Sequence, residues 1–144
     1  MLTIRNMNRL ILQFAVATLT PALLLALGAL WGGIWVAAAL VYLTAMTSLL
    51  DRLIKRESKA GDATFDNSLS IALALTHFAL IPLVVWALAA DHLAPLAKAG
   101  VFFAAGLWFG QVSNANAHEL IHRSTHGLHR LGMWVYITLL FGHH

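Results

Sequence analysis

The chain has 144 residues, 60% hydrophobic and only 10% charged, with a mean hydropathy of +0.76. Soluble domains carry about 25% charged residues, so this chain lacks the charge to cover a water-facing surface, and a membrane protein is the class that fits. It has no cysteine, which excludes disulfides, thiolate nucleophiles and cysteine-ligated metal sites, while its nine Lys and Arg against six acids lie between apolar runs, unlike the basic patch of a nucleic-acid-binding protein.

A spanning helix needs about 20 mostly apolar residues. Residues 10–27 are the first candidate, preceded by Arg5 and Arg9. Basic residues before an apolar run also mark signal peptides, but this run is long and a second follows at once, which favours an uncleaved helix. Gly28 and the pair Gly32–Gly33 predict a tight turn, and residues 31–50 make the second span. The polar stretch "DRLIKRESKAGDATFDNS", residues 51–68, holds most of the charge and belongs in water.

Residues 69–90 form the third span, with His77 and Pro82 inside it. After "DHLAPLA" the fourth span, residues 97–112, leads straight into "NANAHELIHRSTHGLHR". A last apolar run, residues 131–141, rises only about 18 Å as a helix, too little to cross a hydrocarbon core of about 30 Å. It is expected to dip in and return, or to lie along the interface. The five tryptophans read as interface anchors or packing. The predicted fold is an all-α integral membrane bundle of about four spans plus this short interfacial or re-entrant helix, with residues 1–144 as a single transmembrane domain.

Orientation follows from the basic residues. With the N-terminus in the cytoplasm, the inner segments carry Arg5, Arg9, Arg52, Lys55, Arg56, Lys59, Arg123 and Arg130, and the outer turns only Lys98. That asymmetry matches the positive-inside rule, so the charged loop and the histidine stretch are expected on the cytoplasmic side of an inner membrane.

His118 and His122 are four residues apart, so on a helix their rings share a face and can grip one metal ion. A helix continued to His129 would keep His126 and His129 within about 80° of that stripe, although Gly127 argues for a break. His143 and His144 follow the short run, bringing six of the eight histidines towards one region. Imidazole suits zinc, copper, iron and nickel alike. His77 and His92, each standing alone, read as polar groups without a ligand role.

"HELIH" satisfies two patterns. As H-E-x-x-H it is the zinc-protease motif, with His118 and His122 on zinc and Glu119 activating water. As H-x-x-x-H it is a box of the histidine-rich, membrane-bound di-iron enzymes. "NANAHELIHR" strongly resembles the first histidine box of the alkane 1-monooxygenases, a family akin to the fatty acid desaturases. "FGHH" stands where that family has a Gly-His box, and "LLDRLI" resembles its Leu-Asp-x-Leu segment.

The resemblance implies an integral membrane oxygenase with two non-haem iron ions on the cytoplasmic side. Such an enzyme hydroxylates a terminal carbon of a hydrocarbon taken from the bilayer, using O₂ and electrons from a rubredoxin- or ferredoxin-type donor. It implies His118, His122, His143 and His144 as metal ligands and Glu119 as an acid of the site. The family's later boxes, a His-x-x-His-His run and an Asn-Tyr-x-x-His segment, are absent from these 144 residues. The expectation is therefore the N-terminal part of a longer oxygenase, inactive by itself. Arg52, Lys55, Arg56 and Lys59 either dock an acidic electron carrier or only set topology. Two other readings stand beside this one: a membrane zinc metalloprotease, and a membrane fragment that binds metal weakly or not at all.

Overall fold

The computed structural model describes residues 4–57 and 67–141, with side chains over residues 11–46 and 67–141. Among the described residues every regular element is a helix: α1 (Ile4–Trp31), α2 (Gly33–Glu57), α3 (Asn67–Ala89), α4 (Pro95–Trp108), α5 (Asn114–Ile121) and α6 (His126–Thr138). Between α4 and α5 the five residues Phe109–Ser113 form a π turn. Its flanking residues keep right-handed helical dihedrals, so α4, the π turn and α5 make one rod.

The α1–α2 turn needs its glycines. Gly32 and Gly33 have φ of +65° and +57°, a region that costs glycine little and other residues much more. Gly32 N–H closes α1 on Gly28 O at 2.9 Å. The α3–α4 turn packs on this hairpin: His92 Nε2–H donates to Ala29 O at 2.9 Å, and its ring stacks on Trp86 at 4.4 Å. Pro95 starts α4 after extended Ala94, the helical position where a missing N–H costs nothing. A Cβ on Gly100 would collide with the Val36 side chain, so glycine lets α4 approach α2.

The main core is built from small residues, Ala22, Ala29, Ala39, Ala87 and Ala104, interleaved with Leu25, Leu43, Leu80, Val101 and Trp108. Large apolar residues instead cover the outside. Leu12, Leu23, Leu75, Val85, Phe102 and Phe103 are each 60% exposed or more. In water so much apolar surface would be an interaction site or a liability. Small residues inside are what close helix packing in lipid requires. Ile11–Trp31 and Asn67–Ala89 are long and apolar enough to cross a membrane, and Gly33–Met46 is apolar but shorter.

Two elements differ from expectation. The second span, read as residues 31–50, continues helically through Glu57, two turns into the polar stretch. Leu, Arg, Lys and Glu are all good helix formers, and they make up seven of the nine residues of "LLDRLIKRE". The last apolar run, read as residues 131–141, is helical only to Thr138 and belongs to α6, which begins earlier, at His126, and packs along α5 and α3. Gly132 makes that contact possible: a Cβ there would lie 2.8 Å from Leu120 Cβ and 2.9 Å from Ala117 O.

Inside α1, Pro21 removes one backbone donor. In the preceding turn Trp108 Nε1–H donates to Thr18 O at 3.1 Å, drawing α4 onto α1. Trp108 is fully buried, whereas Trp31, Trp35, Trp86 and Trp134 are exposed.

Candidate metal centre

The histidines of interest lie at the end of the bundle opposite the two glycine-rich and proline-rich turns. There α5 is held on α3 by Asn116, whose Nδ2–H donates to Ser70 O at 2.9 Å. On its other side α5 meets α6 through a second core of Ala74, Ala117, Leu120, Val135 and Tyr136. Both contacts leave the His118 face of α5 open.

His118 and His122 come together as their spacing predicts. Their ring centroids are 4.7 Å apart with planes at 77°, and both residues are exposed. Among the described residues neither ring takes a hydrogen bond. Glu119, between them in sequence, belongs to the next stripe and pairs with Arg123 at 2.8 Å.

The stripe does not extend further. The helix ends at His122, whose ψ is −3°, and Thr125 is extended before α6 begins at His126. Ser124, Thr125 and Gly127 are poor helix formers that favour caps and turns. His129 is used differently: its Nδ1–H donates to Ile121 O at 2.8 Å, satisfying a carbonyl at the open end of α5. His126 is exposed at the first turn of α6. Among the described residues, no group of three His, Cys, Asp or Glu is placed to hold a metal ion. His143 and His144 lie outside the described residues, as does Lys59, and the side chains of Arg52, Lys55 and Arg56 are not described.

The two solitary histidines both have work within the fold. His92 joins the α1–α2 and α3–α4 turns, as above. His77 is fully buried in α3. Its Nδ1 lies 2.9 Å from Ser113 Oγ and its Nε2 2.7 Å from Thr138 Oγ1. Thr138 spends its proton on Val135 O at 2.8 Å, so the assignment that satisfies every group has His77 Nε2–H donating to Thr138 and Ser113 Oγ–H donating to Nδ1. Phe78 and Phe109 pack edge-on against the imidazole at 5.2 and 5.1 Å.

Sequence reading passed over Ser113, Thr138 and Asn116. The available signal was their polarity beside apolar helix, where such groups need partners, but the partners are 36, 61 and 46 residues away in the chain.

Compared with protein-family models, curated proteins and solved structures, the chain matches none.

Proposed function

We propose that this chain belongs to a membrane-bound, histidine-ligated di-iron oxygenase resembling the alkane 1-monooxygenases. In this reading α1, α2, α3 and the α4–α5 rod cross an inner membrane, with the histidine end in the cytoplasm, and α6 is a short re-entrant helix. The apolar exterior of large side chains, the length of Ile11–Trp31 and Asn67–Ala89 and the bias of basic residues towards one side support the membrane part.

One observation carries the metal part. His77, His92 and His129 each satisfy a ring nitrogen within the protein, whereas His118 and His122 face each other with no hydrogen-bond partner among the described residues. An imidazole pair at i, i+4 on one open helix face suits two positions on a metal ion. Bound there, iron supplies O₂-dependent hydroxylation of an unactivated C–H bond.

The chain's own residues have simpler tasks. His118 and His122 hold the metal near the aqueous face, within reach of a soluble rubredoxin- or ferredoxin-type donor. His143 and His144, in the segment after α6, are the further ligands that the resemblance implies. The apolar groove between α1 and α3, lined by Leu19, Leu23, Ala26, Ala79 and Leu83, suits a hydrocarbon drawn from the bilayer.

Glu119 orders its own stripe through Arg123.

Anaerobic titration with Co(II) tests the site in detergent-purified protein. Visible ligand-field bands are expected in the parent, displaced by Fe(II) and lost in His118→Ala. Absence of bands in the parent contradicts the reading. Tight zinc binding, with peptide hydrolysis abolished by Glu119→Gln, would transfer the site to the protease class.

A further inference from the structure

The π turn determines which way the histidines face. An α-helix advances 100° per residue, and a single π turn accommodates one extra residue. Everything after Phe109–Ser113 is therefore rotated by roughly a quarter turn relative to an unbroken α-helix of the same sequence. The wide bond is present, from Asn114 N–H to Phe109 O. If the five residues relaxed to α-helix, His118 and His122 would swing together to another face, and Asn116 would leave Ser70.

A π turn is rare and persists where its surroundings hold it. Here the holding group is an imidazole. Ser113, the last residue of the π turn, bonds His77 Nδ1, and Phe109, the first, packs on the same ring. The other nitrogen bonds Thr138, the last residue of α6. One buried side chain on α3 thus ties down both the turn that sets the phase of α5 and the end of the helix packed against α5. Breaking either bond strands a polar group in an apolar core, which is costly.

We propose that His77 is a positioning residue for the His118–His122 pair, holding the π turn through Ser113 and α6 through Thr138. The link between His77 and the phase of α5 stands by itself; its consequence for metal binding rests on the function proposed above.

The chain has no cysteine, so paired labels can be introduced cleanly. Nitroxides on Ile71→Cys in α3 and Ala115→Cys in α5, both exposed positions, report the phase by their separation and leave His118 and His122 intact for Co(II) binding. His77→Ala is expected to shift the label distance by roughly 5 to 10 Å, the chord of a quarter turn at side-chain radius, and to weaken Co(II) binding at least tenfold. Deleting Gly110 from the π turn in the same variant is expected to restore both, because without the extra residue an ordinary α-helix delivers His118 in its present phase. An unchanged distance in folded His77→Ala, or a shifted one that the deletion does not restore, overturns the proposal. If His77→Ala loses its helicity, Ser113→Ala decides by the same two readings, since it leaves the bond to Thr138 in place. A distance that moves in a protein whose parent binds no Co(II) upholds the positioning role and removes the metal site. A fixed distance with a metal-binding parent does the reverse.

Discussion

The two ends of the bundle both carry histidine, and they treat it differently. At the turn end, His92 is stacked on Trp86 and donates to Ala29 O, so the ring is a fastener between two hairpin turns. At the other end, the rings of His118 and His122 face each other with no hydrogen-bond partner among the described residues, while Asn116, Gly132 and His129 fasten the helix that bears them. The lesson is that a histidine's role follows from whether the fold already uses its nitrogens. A ring with both nitrogens engaged, as in His77, is structural; a facing pair with none engaged is available to a ligand.

The sharpest way to break this contrast is at Gly132. Its missing Cβ is met by a backbone oxygen of α5, which cannot move aside. Gly132→Ala is expected to cost about 2–3 kcal/mol, the upper part of the overpacking range, and to weaken Co(II) binding at the same time. Thermal melts in detergent, run beside metal titration, check it. The turn end supplies the control. Gly100→Ala meets only the Val36 side chain and is expected to cost about 1–2 kcal/mol with Co(II) affinity unchanged; a loss of affinity would mean that the two ends are coupled.

His92→Ala is expected to lose about 1 kcal/mol, one hydrogen bond and a ring stack, again without altering metal binding. Glu119→Gln gives the smallest effect. An i, i+4 pair on a helix is worth about 0.3 kcal/mol, so stability and Co(II) loading are expected to stay near those of the parent. A collapse of loading would make Glu119 a ligand.

Local pattern carried much of this. The i, i+4 spacing of His118 and His122, the Gly32–Gly33 turn and the helices around 10–27 and 69–90 rest on periodicity and turn chemistry, which act over a few residues. The extension of α2 to Glu57 was also in the residues, since "LLDRLIKRE" is helix-forming; its charge was read as a loop. The break after His122 was half legible through Gly127, but it falls earlier because Ser124 and Thr125 precede it. The π turn, the return of α6 to His77 and the anchoring of Asn116 were hidden, because each depends on contacts between residues far apart in sequence. No periodicity signals which of two polar residues in different helices will meet.

The central claim is that the unengaged pair, and not the engaged histidines, holds metal. Elemental analysis of detergent-purified parent beside the double variant His118→Ala/His122→Ala tests it most directly. The account predicts iron in the parent, even at partial occupancy, absent from the double variant and retained in His92→Ala. Zinc at one per chain, or a metal content that the double variant leaves unchanged, would contradict it.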